Sequence, residues 1–167
     1  MEKVRCGDVL FSYGKGIVSS GIKLITRSSV THVGIIMNKD WIFETHWGQN
    51  ARLNPLEKYE RQNYLIMRPP VDNTDRLKVQ DRIKKYNGSR YSTLDIINNF
   101  LFCWLPTDFR RDAVSFLGTK GLMICSEITA RILWESNKEK FAYLDGFEGL
   151  RPDGLKALAN DYNWTEL

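Results

Sequence analysis

The chain has 167 residues, 43% of them apolar and 26% charged, with 24 Lys and Arg against 20 Asp and Glu for a net charge of +4 at pH 7. Such a balance excludes a disordered or collagen-like chain, and the length suits a single domain over residues 1–167 that buries its own core. The mild basic excess is interspersed with acids and accompanies no recognition motif, so nucleic acid is not an expected partner.

The opening MEKVRCGDVLF carries no apolar core and no small-residue cleavage site of the secretory kind. Three cysteines, Cys6, Cys103 and Cys125, are odd in number and widely separated. That pattern argues against a disulfide framework and makes the cytoplasm the expected location. No CxxC or HxxxH spacing is present, so neither a metal nor any other cofactor is expected.

In chain order, GDVLFSYG holds a short β-like run closed by glycine. GIVSSGIKLIT places Ile17, Val18, Ile22, Leu24 and Ile25 on a helical stripe. HVGIIMN then reads as a strand, NKD as a tight turn on Asn38 and Asp40, and WIFETHW as the returning strand of a hairpin. YLIMRP is a further strand, stopped by Pro69 and Pro70.

The second half turns helical. NTDRLKVQDRIKKYNG has its cap expected at Asn73 or Thr74 and its stop at Gly88, with Arg76, Lys78, Arg82, Lys84 and Lys85 on a solvated face. LDIINNFLFCWLP is interrupted by Asp95, Asn98 and Asn99 and is too short to span a bilayer, so it reads as a core or pocket-lining helix. CSEITARILWES should start a helix close to Cys125, and Pro152 should open another in RPDGLKALANDYNW. A small, mostly antiparallel sheet or barrel packed against helices is an α+β fold.

Five residues bear on chemistry. A thiol at a helix start, as expected for Cys125, meets the positive end of the helix dipole and unpaired N–H groups, which favour a thiolate and can receive an oxyanion. A free cysteine is also often only a small buried hydrophobe. His32 stands at the head of an apolar strand, where it either ends the strand with a hydrogen bond or serves a nucleophile as base. In a tight hairpin, position 32 should fall opposite about position 45. Glu44 and His46, two apart on one strand face, are both candidates to orient an imidazole. His46 alone reads as a histidine at a loop mouth, and Tyr91, just after a glycine turn, as a ring packed on the sheet.

The blocks CGDVLFSYG, ITRSSVTHVGII, FETHWG, GSRYSTLDI and ICSEITARIL, in that order, resemble the circularly permuted branch of the NlpC-type papain-like cysteine peptidases. The likeness is to its YiiX-like group, which shares its plan with the lecithin–retinol acyltransferase relatives. It covers the chain from about Cys6 to Leu133, with LRPDGLKAL as a weaker echo. In ordinary papain-like enzymes the cysteine precedes the histidine; here the order is reversed, as in the permuted branch.

The resemblance implies a permuted papain-like fold with Cys125 as nucleophile, His32 as base and Glu44 as the residue that orients it. Tyr91 matches the tyrosine leading toward the cleft, where it would help bind substrate, although Ser92 follows it instead of the family's usual acid. The implied activity is that of a cysteine amidase or peptidase on peptide or acyl-amide substrates, including cell-wall-type peptides. Two rivals use the same scaffold. One is a lipid acyltransferase or thioesterase in which Leu94 to Leu105 contacts lipid or a membrane surface. The other is a binding module without catalysis.

Overall fold

Alternating apolar residues give the strands two usable faces, and the chain pairs them by short antiparallel steps. In this computed structural model, which describes residues 3–14, 29–46, 49–90, 124–148 and 150–167, Val9–Ser12 (β1), His32–Ile36 (β2), Trp41–Glu44 (β3), Arg52–Pro55 (β4), Tyr64–Arg68 (β5) and Thr165–Glu166 (β6) form one sheet. The strand order is β4-β3-β2-β1-β5-β6, and each neighbouring pair is antiparallel. The sheet is open, with β4 and β6 as its edges, so the α+β expectation holds in its sheet form and not as a barrel. The helical stripe expected over 16–26, the apolar stretch 94–106 and Tyr91 lie outside the described residues.

Among the described residues three α-helices lie between β5 and β6 in sequence: Asn73–Tyr86 (α1), Cys125–Ser136 (α2) and Pro152–Asp161 (α3). The cap of α1 falls one residue earlier than expected. Asp72 accepts the Asp75 N–H at 2.8 Å and Asp75 accepts the Asp72 N–H at 3.2 Å, a reciprocal box that satisfies two orphan donors. Gly88 lies past the end of α1 with φ +88°, a conformation open to glycine at little cost. Lys78, Lys84 and Lys85 are solvated as expected. Arg76 is not: its guanidinium folds inward to donate to the carbonyls of Cys6 and Val71.

The two faces of the sheet are buried differently. Val9, Phe11, Val33, Ile35, Phe43 and Met67 meet Val79 and Ile83 of α1 and Ile128, Ile132 and Leu133 of α2 in the main core. On the opposite face Leu10, Ile36, Ile42 and Ile66 are covered by Leu56 and Tyr59. Those two belong to a 3-10 turn, Leu56–Tyr59, that directly follows β4. Burying each such side chain contributes roughly 1.5–3 kcal/mol. The anchored turn thereby acquires a fixed position beside the end of β3.

Gly34 explains the small residue inside the apolar strand. A Cβ there would lie 2.7 Å from Ile42 Cδ1 and 3.2 Å from the Phe43 carbonyl oxygen. Strand β3 can approach β2 so closely only because that atom is missing. Among the described residues no helix is long and apolar enough to cross a membrane.

Candidate functional site

Strand β2 begins with His32, β3 ends with Glu44 and α2 begins with Cys125, so three element termini converge. Glu44 is 1% exposed and Cys125 6%, whereas the His32 side chain keeps 14% of its surface. The ladder pairs Ile35 with Phe43 and Ile36 with Ile42. Continued outward, that register sets position 46, not 45, opposite position 32. Residues paired across a ladder share a face. The one-residue difference from the expected register is what puts His32, Glu44 and His46 on the same side of the sheet.

His32 Nε2 lies 2.8 Å from Glu44 Oε2, and Cys125 is close enough to act on the same ring. With Nε2 committed to the carboxylate, Nδ1 is the nitrogen left for the thiol. Burial alone pulls His32 toward its neutral form. The charge and hydrogen bond of Cys125 and the Glu44 carboxylate outweigh it, and the ring's pKa rises to about 9. Glu44 is likewise pushed up by burial, but the hydrogen bond and charge of His32, with the His46 ring beside it, hold it well below the usual carboxylate range.

Of the two readings left open for the orienting role, contact geometry favours Glu44. His46 instead stacks on His32, with ring centroids 4.3 Å apart and planes 13° from parallel. Its Nε2 is 3.2 Å from Glu44 Oε2 and 3.1 Å from Lys58 Nζ. The Glu44 hydrogen bond favours a charged His46 ring, but burial and the neighbouring His32 and Lys58 charges win, and its pKa is lowered. An ammonium has only protons to give. His46 therefore accepts from Lys58 and stays neutral.

Two members of the cluster carried no chemical signal in the sequence. Lys58 pairs with Glu44 Oε1, and the Tyr59 hydroxyl donates to Glu44 Oε2 at 2.5 Å. Burial and the adjacent carboxylate push the Tyr59 phenol far up, which keeps it a donor. Both residues sit in the 3-10 turn docked by Leu56 and Tyr59, and LEKY by itself reads as an unremarkable polar loop. Tyr91, the fourth expected site residue, lies outside the described residues.

At the start of α2 the cap is closed by the protein itself, Ile124 N–H donating to Glu127 Oε2 at 2.9 Å. Ser126 is fully buried and donates to the Leu150 carbonyl at 2.5 Å, tying α2 to the segment before α3. Residues in a helix's first turn have no intrahelical acceptor for their N–H groups. The backbone N–H of Cys125 is among them, beside its own sulfur. The ensemble can thus supply a nucleophile, a base, an orienting carboxylate and a polarising helix end.

His32, Glu44 and His46 also place three metal-type donor atoms within 4.8 Å of one another. Imidazole lone pairs lie in the ring plane, and zinc bonds nitrogen at about 2.0–2.1 Å. Two stacked, nearly parallel rings cannot both aim at one ion, and the Lys58 ammonium already pairs with the other carboxylate oxygen, Oε1. The donor set as arranged does not fit a metal.

No protein-family model and no curated protein matches the chain. Among solved structures it is similar to a protein of Escherichia coli O157:H7 described as the metalloprotein YiiX, DUF1105, with a TM-score of 0.57 and 20% sequence identity. The match covers 80% of this chain and 67% of that one. The two share a fold.

Proposed function

We propose that the chain is a cysteine hydrolase of the YiiX-like, permuted papain-like kind, acting on amide or peptide bonds through an acyl-thioester. The observation that carries this reading is the placement of His32 between a helix-terminal thiol, Cys125, and a buried carboxylate, Glu44. A base that is itself oriented by an acceptor is what a weak nucleophile requires.

In the proposed cycle His32 takes the Cys125 proton, and the sulfur adds to the substrate carbonyl carbon. Negative charge that develops on the carbonyl oxygen is received by N–H groups of the first turn of α2. The C–N bond breaks as His32 returns the proton to the departing amine, leaving a thioester. Water, deprotonated by His32, adds to the thioester carbon and the C–S bond breaks, releasing the acid and restoring the thiol. Glu44 stabilises the imidazolium through both halves. No step calls on a metal, in keeping with the poor fit of His32, Glu44 and His46 to one ion.

The test is the pH dependence of iodoacetamide alkylation, mapped to Cys125 by peptide analysis in the wild type and in His32→Ala. Fast alkylation of Cys125 at pH 6 that is lost in His32→Ala supports the pair, and peptide and acyl-amide substrates then follow. Alkylation no faster than that of an ordinary exposed thiol, and indifferent to His32, overturns it and leaves the binding module. Acyl-ester turnover in preference to amides would favour the acyltransferase rival.

A further inference from the structure

We propose that Lys58 is the resident cation of the Glu44 site: its ammonium holds the position a divalent metal would take between Glu44 and His46, and so keeps this donor cluster from binding zinc. Three donor atoms within 4.8 Å, two of them imidazole nitrogens, are an affinity for transition-metal ions such as zinc waiting for a suitable geometry. Two features hold that affinity in check. The Lys58 ammonium bridges Glu44 Oε1 and His46 Nε2. His46 is kept flat against His32: both Nε2 atoms reach Glu44 Oε2, at 3.2 and 2.8 Å, but rings stacked nearly parallel cannot both direct an in-plane lone pair at one ion.

Every group facing the carboxylate fits this division of labour. From β2, His32 donates to Oε2; from the 3-10 turn, Tyr59 donates to Oε2 and Lys58 to Oε1; and His46, just past β3, holds its Nε2 3.2 Å from Oε2. A fixed ammonium balances the buried charge of Glu44 permanently, independent of metal supply. It also leaves the Nε2 proton of His32 on Glu44, where a bound metal would displace it and disconnect the imidazole from its orienting group. Lys58 is in this sense a positioning residue, acting through Glu44.

The release mechanism is equally visible. The His46 side chain is 38% exposed and that of Lys58 32%, whereas Glu44 is fully enclosed. With the ammonium removed, the partly exposed His46 ring is expected to turn out of the stack and meet Glu44 on one ion. Its charge is also the only cation from that turn that meets Glu44 among the described residues.

The experiment is a calorimetric titration with zinc chloride on the full chain carrying Cys125→Ala, so that a thiolate does not supply a second zinc site beside His32. In that background Lys58→Met is expected to bind one zinc at least 100-fold more tightly than the protein with Lys58 intact. Adding His46→Ala should abolish the gain, and Lys58→Arg, which keeps a cation, should not produce it. Lys58→Gln provides a second opening of the site should Lys58→Met fold poorly by circular dichroism. Tight, His46-dependent zinc binding with Lys58 in place would overturn the proposal, as would Lys58→Met and Lys58→Gln binding zinc no better than their parent. Because the readout is binding, neither result depends on whether Cys125 attacks any substrate.

Discussion

His46 lies flat on His32, ring on ring at 4.3 Å, yet the two imidazoles are driven in opposite directions by the groups around them. Burial opposes charge on both. His32 is compensated by Cys125 and Glu44, while His46 faces the His32 and Lys58 charges. A proton-detected titration should show one imidazole with its midpoint at about 9 and the other below its ordinary value. Cys125→Ala removes the largest influence raising His32, so only the higher midpoint should fall by a large step. Two imidazoles that titrate together near 6.5 would contradict the geometry.

The same shifts set the pH dependence of stability. A raised folded-state pKa means that the His32 contribution is fully present below its unfolded value of about 6.5 and is lost as pH rises through about 9. Glu44, lowered, contributes above the usual carboxylate range and loses its contribution only on strong acidification. Urea melts of wild type and His32→Gln should therefore differ most near pH 6 and converge by pH 10.

Glu44→Gln removes the carboxylate from His32, Lys58 and Tyr59 at once and leaves cations facing a neutral amide. Losing one side of a buried ion pair costs about 3–5 kcal/mol, read from the urea midpoint. Cys125 alkylation at pH 6 should drop toward the level of His32→Ala. Tyr59→Phe is the milder companion. It keeps the ring among Leu10, Ile36 and Ile66 and deletes one hydrogen bond to a charged group, for about 1.5–3 kcal/mol.

Gly34→Ala should destabilise by about 1–3 kcal/mol, because the added methyl meets Ile42 and the Phe43 backbone and β3 must shift. A displaced β3 moves Glu44, so the loss of Cys125 reactivity should exceed what the stability change alone produces. Chemical denaturation with alkylation kinetics on the same sample separates the two.

Asp8 tests the far side of the sheet. It is fully buried just before β1, and Arg68 at the end of β5 grips it with Nε and Nη2, each at 2.8 Å. Asp8→Ala leaves the guanidinium without its carboxylate partner, with only the Lys3 carbonyl to accept from it, and should cost about 3–5 kcal/mol in a thermal or urea melt. Reactivity of Cys125 per folded molecule should remain, since the pair lies off the His32 cluster.

Much of the architecture was legible because it depends on neighbours in sequence. HVGII, WIFE and YLIMR have the β-branched and apolar alternation of half-buried strands, and each became one. Helix α2 starts at Cys125 and α3 carries Pro152 at its first position, as local chemistry dictates. The cap of α1 was misplaced because Asn73 and Thr74 are as good capping types as Asp72. Only the reciprocal bond with Asp75 decides among them.

The sequence by itself determined that a histidine heads one strand, a glutamate ends the next and a cysteine starts a distant helix. Periodicity and capping act over a few residues, which is the range of the forces involved. Whether Glu44 or His46 would hold His32 depended on a register one residue different from the expected one. Lys58 and Tyr59 reached Glu44 only because Leu56 and Tyr59 found an apolar patch on the sheet to bury. Such contacts are set by packing between segments, where a shift of one ladder step turns a side chain to the other face. Tertiary structure alone therefore decided which charge balances Glu44, and through it how the imidazole beside Cys125 is held.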